Sequence, residues 1–212
     1  MDELRAAIIE GDWKSAVAAT RRSLETGMTP LALVTAHLIP AMDEVGRLFE
    51  CEDYFIPEML LSARAMRASM EILRPLLAAS GAASAGRVVI GTIKGDLHDI
   101  GKNLVASMLE GGGFEVIDLG ADVPPQVFVE AARTHNAHIV ALSALLTVTM
   151  PSMKATIDAF ESAGARASVK IIVGGAPVTQ RYADSIGADG FSDSASNAVA
   201  LARQLVAACV SN

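Results

Sequence analysis

The residues with the clearest chemical potential form a short loop, Asp96-x-His98-x-x-Gly101, which directly follows a run of buried-type apolar residues. A carboxylate placed two residues before an imidazole can bond one ring nitrogen and leave the other nitrogen free. Metal-ligating histidines are commonly oriented in this way by a carboxylate that does not itself touch the metal. A simpler interpretation stays open, in which Asp96 caps the following helix and His98 bonds to backbone.

The same loop is rich in glycine, which first suggests a phosphate-binding turn. Five residues separate Gly95 from Gly101, and Asn103 follows Lys102, so the spacing departs from that of a P-loop. Asp96 and Asp99 would also repel phosphate oxygens. The loop is therefore not expected to bind a nucleotide phosphate, and Lys94, Lys102 and Asp99 are expected to lie on its surface.

After residue 86, short apolar runs alternate with amphipathic stretches, a pattern typical of βαβ units with a parallel sheet. The predicted strands are Arg87–Ile93, Glu115–Leu119, His138–Ser143, Val169–Val173 and Gly190-Phe191. We predict a Rossmann-like (flavodoxin-like) α/β domain over residues 87–212, with five parallel strands in the order 2-1-3-4-5. Ligands of such sheets bind at the carboxyl ends of the strands, so the loops after the first, third and fourth strands matter most.

Before residue 80, apolar residues recur at helical spacing, which predicts an N-terminal four-helix bundle over residues 1–80. Asp12 is the predicted N-cap of the second helix, and Thr29-Pro30 is the predicted start of the third. Pro40 is expected to kink that third helix. Small residues dominate the segment that follows the bundle, so residues 81–86 are predicted to be a flexible linker.

The amino-acid composition indicates which kinds of partner the protein binds and in which cellular compartment it lies. The 212 residues carry 24 acids against 17 bases, and the net charge of −7 disfavours binding to nucleic acid. Cys51 and Cys209 have no CxxC spacing, which favours reduced thiols and a cytoplasmic location. No apolar run reaches the ~18 residues that a membrane span requires, so no membrane association is expected.

Three loop elements together carry a family resemblance. GDLHDIGKN is followed by Ser143-Ala-Leu-Leu-Thr147 after the third predicted strand and by Gly174-Gly175 after the fourth. In this order they resemble the cobalamin-binding module of methionine synthase and of the corrinoid proteins of methanol, methylamine and O-demethylase systems. The segment VGRLFECEDYFIPEMLLSARAM is similar to the helical bundle that precedes this module, so the resemblance covers nearly the whole chain.

The resemblance implies that the chain binds cobalamin or a related corrinoid, as methylcobalamin or cob(I)alamin. His98 would be the axial cobalt ligand, Asp96 would bond its other nitrogen, and Thr149 stands where methionine synthase has a relay serine. These three residues are the candidate catalytic residues. The candidate cofactor-binding residues are Gly95, Asp96, His98, Asp99, Ile100, Gly101, Ser143, Leu145, Thr147, Gly174, Gly175, Phe191 and Ser194, with Phe49 and Tyr54 in the bundle.

The implied function is that of a methyl carrier, a subunit that is not catalytic alone. Its implied partners are a substrate-specific methyltransferase, a second methyltransferase that delivers the methyl group to tetrahydrofolate or a thiol, and a reductive activase. Two alternatives stay open: a cobalamin-dependent sensor or regulator, and the small subunit of an adenosylcobalamin mutase. Photosensing relatives carry Trp and Glu-His in the bundle, whereas Phe49 and Glu58-Met59 stand at that region here.

Overall fold

The computed structural model describes residues 2–79 and 85–210. The chain divides into two compact units. The first is the part before residue 85 together with Ser107–Gly113, and the second is Ala85–Ala106 together with the chain from Phe114 onward. Most of the predicted linker, residues 81–84, lies outside the described residues, and the predicted domain boundaries therefore stay a prediction.

Amphipathic helices build the first unit. They are α1 (Asp2–Ile9), α2 (Trp13–Glu25), α3 (Pro30–Leu33), α4 (Ile39–Glu50) and α5 (Ile56–Ala79). A π-helical turn, Val34–Leu38, joins α3 to α4, so the helical backbone is continuous from Pro30 to Glu50. Large side chains that are fully or almost fully buried fill the interior, among them Leu4, Ile8, Leu33, Met42, Met59 and Met66. Because α3 and α4 are continuous, residues 2–79 form four helices, as predicted.

The predicted helix starts are confirmed at two places. The Asp12 side chain accepts hydrogen bonds from the backbone N–H groups of Lys14 and Ser15 at the start of α2. Thr29 accepts one from the N–H of Ala32, with proline in the first turn of α3. These bonds satisfy backbone donors that have no partner inside the helix.

Pro40, the position of the predicted kink, follows the π-helical turn. The N–H of Ile39 donates to the carbonyl oxygen of Val34, one residue further back than in an α-helix. A proline ring inside an α-helix collides with the carbonyl group four residues earlier. The wider turn is a common way for a helix to absorb such a disturbance.

Five parallel strands form the sheet of the second unit. They are β1 (Arg87–Thr92), β2 (Glu115–Asp118), β3 (Ile139–Ser143), β4 (Lys170–Gly174) and β5 (Gly190–Ser192). In the described part of the chain, five α-helices alternate with these strands: α6 (Ile100–Gly111), α7 (Pro125–Thr134), α8 (Pro151–Ser162), α9 (Gln180–Ile186) and α10 (Ala195–Val210). The last part of α6, from Ser107, belongs to the first unit. The strand order β2-β1-β3-β4-β5 confirms the predicted flavodoxin-like topology.

Apolar side chains on the sheet make the central strands the core of this unit. Val89, Val140 and Ile171 are buried and pack with Phe128 and Phe160 of the helices. Central parallel strands need such runs because helices cover both of their faces.

The register of the strands determines which loops meet. Thr92 pairs with Ser143 in the sheet, and Ser143 pairs with Gly174. The carboxyl ends of β1, β3 and β4 therefore lie side by side, and the loops that leave them share one edge of the sheet.

Within the described ranges, none of the helices combines the length and the apolar character that crossing a membrane requires.

Candidate functional site

The site is centred on a buried carboxylate that holds a half-exposed imidazole. The Asp96 side chain has no exposed surface, whereas half of the His98 side chain is exposed. Oδ1 of Asp96 lies 2.7 Å from Nδ1 of His98 and 3.1 Å from the backbone nitrogen of the same residue. An ionised carboxylate can only accept, so in the neutral imidazole Nδ1 carries the proton and Nε2 has a free lone pair.

The second oxygen of the Asp96 carboxylate ties this loop to the loop after β3. Oδ2 accepts hydrogen bonds from the backbone N–H groups of Leu145 at 2.8 Å and Leu146 at 3.1 Å. The hydroxyl group of Thr149 lies 2.8 Å from the same oxygen. One carboxylate thus organises two loops that leave neighbouring strands.

These contacts decide the charge of Asp96. Burial alone raises the pKa of a carboxyl group, but the donors from Leu145, His98 and Thr149 outweigh it and hold the pKa of Asp96 well below its ordinary value. Asp96 therefore stays ionised near neutral pH and remains a hydrogen-bond acceptor for His98.

Replacing Thr149 with valine should destabilise the protein by about 1–2 kcal/mol. The change removes a buried hydroxyl group that lies 2.8 Å from both the Asp96 carboxylate and the carbonyl oxygen of Leu146. Thr149→Ser is the matched control, since it keeps the hydroxyl group and should lose less stability. Urea unfolding of the two variants and the wild type measures the difference. Equal stabilities of the valine and serine variants would show that the hydroxyl–carboxylate bond contributes nothing.

Large aliphatic side chains surround the polar pair and face solvent. Leu97, Ile100 and Val148 are 76%, 74% and 81% exposed. Leu145 and Leu146 are also exposed on the neighbouring loop. Contiguous exposed apolar surface is uncommon on soluble proteins and marks sites where an apolar partner or ligand binds.

The glycines of these loops differ in whether the fold requires a residue without a side chain. A Cβ atom at Gly101 would have no heavy atom within 4 Å, so the fold itself does not require glycine there. Gly175 has φ +123° and its Cβ would lie 1.9 Å from the carbonyl oxygen of Ala144. A Cβ at Gly174 would lie 2.9 Å from the carbonyl oxygen of Ser192. The Gly174-Gly175 pair therefore permits close contact between the ends of adjacent strands.

The remaining predicted residues of this unit are spread around the same edge. Ser143 ends β3, Thr147 is exposed in the following loop, and Asp99 precedes the first turn of α6. Phe191 is half-buried and packs against the main apolar core. The hydroxyl oxygen of Ser194 accepts from the N–H of Asn197 at the start of α10. Phe191 and Ser194 thus have packing and capping partners of their own.

The two predicted residues of the helical unit, Phe49 and Tyr54, are both half-buried. The Tyr54 hydroxyl group donates to the carbonyl oxygen of Ile9 at 3.0 Å, and burial raises the pKa of Tyr54. The Tyr54 ring is therefore held in place within the helical unit.

The expectation that Lys102 lies on the loop surface is wrong. Lys102 is 2% exposed and its ammonium group pairs with the carboxylate of Asp118 at the end of β2. A cation in the first turn of a helix opposes the helix dipole and needs an acidic partner. That requirement was readable from the sequence, but the partner was not, because it comes from another strand.

Two further contacts of the loop were not predicted from the sequence. The Thr92 hydroxyl group donates to the carbonyl oxygen of His98 at 3.0 Å. The carboxylate of Asp122 accepts from the N–H of Gly95 at 2.7 Å. Neither Thr92 nor Asp122 belongs to a recognisable motif, and only the folded structure places them beside the loop.

Comparison with protein families matches both units. A family profile described as "B12 binding domain" matches residues 86–202, and a second profile of the same description matches residues 1–74.

Relatives along the whole chain carry related names. The chain is 43% identical to dimethylamine corrinoid protein 1 of Methanosarcina acetivorans, over 98% of this chain and 97% of the relative. It is 44% identical to trimethylamine corrinoid protein 1 of Methanosarcina mazei, over 91% of this chain and 90% of the relative.

Two solved structures resemble the chain over nearly its full length. A cobalamin-binding protein from Desulfitobacterium hafniense has a TM-score of 0.80 and 32% identity, covering 96% of this chain and 97% of that one. A chain of the methanol:cobalamin methyltransferase complex from Methanosarcina barkeri has a TM-score of 0.83 and 30% identity, covering 97% of this chain and 78% of that one.

Proposed function

Since this chain belongs to the family of B12-binding corrinoid proteins, we propose that it carries a methyl group between two methyltransferases. The cofactor of this family is a corrinoid, and when bound it supplies a cobalt ion that accepts and releases the methyl group. The single observation that carries the proposal is the Asp96–His98 pair, at 2.7 Å, within a rim of exposed aliphatic side chains.

The residues present fit a corrinoid. In the proposed site His98 would hold the cobalt of the corrinoid through Nε2, because Asp96 occupies Nδ1. Leu97, Ile100 and Val148 offer exposed apolar surface for the faces of a large macrocycle. Gly101 leaves open space at the start of α6, which lets a bulky group approach the backbone.

Other residues of the loops complete the proposed site. We assign contacts with the cofactor to Gly95, Asp99, Ser143, Leu145, Thr147, Gly174, Gly175, Phe191 and Ser194. Phe49 and Tyr54 are proposed contacts from the helical unit, where the Tyr54 ring is fixed through its bond to Ile9. Thr149 is the proposed relay partner of Asp96, since its hydroxyl group lies 2.8 Å from the carboxylate.

The proposed partners are a substrate-specific methyltransferase that loads the methyl group and a second methyltransferase that removes it. The names of the similar proteins, which refer to methylated amines and to methanol, support a small methylated donor. Tetrahydrofolate or a thiol is the proposed acceptor, and a reductive activase would restore oxidised cofactor. The exposed thiol of Cys51 fits a reducing compartment, so we propose a cytoplasmic location.

The carrier function is tested by reconstituting the full chain with hydroxocobalamin, reducing it without oxygen, and adding in turn substrate-specific methyltransferases of the methanol and methylamine systems. Methanol, dimethylamine and trimethylamine, each with an isotopically labelled methyl group, serve as donors. We expect one donor to label the bound corrinoid to about one methyl group per chain, as measured by mass spectrometry. Methyl iodide is the positive control for a reducible, accessible cobalt. A holoprotein that methyl iodide labels, but that none of the donors labels, would contradict the carrier function.

A further inference from the structure

One short segment, residues 118–122, holds both ends of the His98 loop. At the first end, Oδ1 of Asp122 accepts from the N–H of Gly95 at 2.7 Å. The N–H of Asp122 donates in turn to the carbonyl oxygen of Asp96 at 3.0 Å. Asp122 therefore contacts the two residues that lead into the His98 loop through both its side chain and its backbone.

At the other end, the same segment holds the first turn of α6. The ammonium group of Lys102 pairs with Oδ2 of Asp118, and Lys102 is almost completely buried. The other carboxylate oxygen of Asp118 accepts from the N–H of Gly120 at 2.9 Å. The loop from Gly95 to Lys102 is thus attached at each end to one segment, which begins at the last residue of β2.

The backbone of the segment adopts a costly conformation to reach the loop. Asp122 has φ +55°, in the left-handed region that residues other than glycine rarely adopt. Gly120, with φ +81°, accepts from the N–H of Thr92 at 2.9 Å through its carbonyl oxygen. A non-glycine residue in this region is retained where surrounding bonds require it, and such sites are commonly functional.

We propose that residues 118–122 form a clamp that positions His98 toward the cobalt, with Asp122 and the Lys102–Asp118 pair as positioning residues. This inference rests on the proposed role of His98 as the cobalt ligand. The buried Asp96 carboxylate holds the imidazole, and Asp122 holds the backbone on both sides of the peptide bond that joins Gly95 to Asp96. Releasing that backbone allows the imidazole to move, while the Asp96–His98 bond itself stays possible.

Three variants at position 122 separate the hydrogen bond from the backbone conformation. Asp122→Ala removes the acceptor and disfavours the left-handed backbone, whereas Asp122→Gly removes the acceptor but keeps that backbone accessible. Asp122→Asn keeps an acceptor oxygen and a residue type that tolerates positive φ, so it is the conservative control. At the other end, Lys102→Met removes the cation and leaves Asp118, which is partly exposed, able to hydrate.

The experiment uses the full chain reconstituted with cobalamin and reduced to Co(II), at one pH near neutrality. Histidine is labelled with heavy nitrogen, so that splitting by a histidine nitrogen can be recognised in the EPR spectrum. The size of this splitting signal measures the ratio of His-bound to His-free cobalt. Loss of the groups that orient a metal ligand typically weakens metal affinity 10–100-fold, so we expect that ratio to fall about 10-fold in Asp122→Ala and Asp122→Gly. Lys102→Met should lower it in the same direction, and Asp122→Asn should stay close to wild type. Corrinoid content per chain should be unchanged.

The outcomes separate this inference from the proposed function. Wild-type ratios in the alanine, glycine and methionine variants would overturn the clamp and leave His98 as the ligand. A wild-type protein without histidine splitting would instead overturn the proposed ligand, and the clamp with it. If the alanine variant fails to fold, the glycine and asparagine variants still give the comparison, because both accept the backbone conformation of Asp122.

Discussion

Replacing His98 with alanine is expected to remove the histidine nitrogen from the cobalt of the reconstituted protein. The reason is geometric: Asp96 bonds Nδ1 of His98, and the half-exposed ring leaves its other nitrogen available. The EPR spectrum of the Co(II) form should lose the splitting that depends on labelled histidine. This is the largest spectroscopic effect expected of any single substitution in the chain, because it deletes the ligand itself.

Labelling histidine with heavy nitrogen is what makes this experiment decisive. A corrinoid carries its own benzimidazole base, which could coordinate the metal when the protein ligand is gone. Only a nitrogen from histidine changes its splitting on labelling, so the two sources are distinguished. If the label alters the splitting of the alanine variant as it does that of wild type, another histidine is the ligand and His98 is not.

Replacing Asp96 with alanine is expected to destabilise the α/β unit strongly. The change deprives the backbone N–H groups of His98, Leu145 and Leu146 of their acceptor. The hydroxyl group of Thr149 keeps the carbonyl oxygen of Leu146 at 2.8 Å. Each buried donor left without a partner costs about 1–3 kcal/mol, so the free energy of unfolding should fall by about 3 kcal/mol or more. Urea unfolding of the apoprotein measures it, and a loss under about 1 kcal/mol, within the range of ordinary surface substitutions, would contradict the central role of the carboxylate.

Asp96→Asn is the matched control for shape. The amide keeps an oxygen that can accept from the Leu145 loop, so the loss of stability should be smaller than for alanine. The amide nitrogen then faces His98 and donates to Nδ1, which places the imidazole proton on Nε2. We therefore expect weaker histidine ligation in this variant despite a folded protein. Wild-type ligation in Asp96→Asn would show that the charge on Asp96 does not set the state of His98.

The stability that Asp96 contributes should also depend on pH. Its folded-state pKa lies well below the ordinary value, since the donors from Leu145, His98 and Thr149 outweigh the effect of burial. A group of this kind stabilises the fold fully above its unfolded pKa, about 3.9 for aspartate, and loses that contribution as the pH falls below it. The difference in stability between wild type and Asp96→Asn should therefore be constant near neutral pH and shrink below about pH 4.

Local features of this protein were determined by the sequence alone. Asp96 and His98 are two residues apart, so their contact depends on one loop and can be predicted from spacing. The caps at Asp12 and Thr29 depend on backbone N–H groups two or three residues away. The buried strands and their order follow from apolar runs that alternate with helices, because few topologies satisfy short right-handed crossovers.

Contacts between distant segments were decided only by the tertiary structure. Leu145 reaches Asp96 across 49 residues, and Asp122 reaches Gly95 across 27. The contact between Thr149 and Asp96, across 53 residues, was implied by the family resemblance and not by the spacing. The spacing of residues in a sequence carries no record of which loops leave neighbouring strands in register. The burial of Lys102 was likewise not predictable from the sequence, because it depends on the nearby carboxylate of Asp118. A buried charge requires a partner, and only the packing of the sheet identifies which residue provides it.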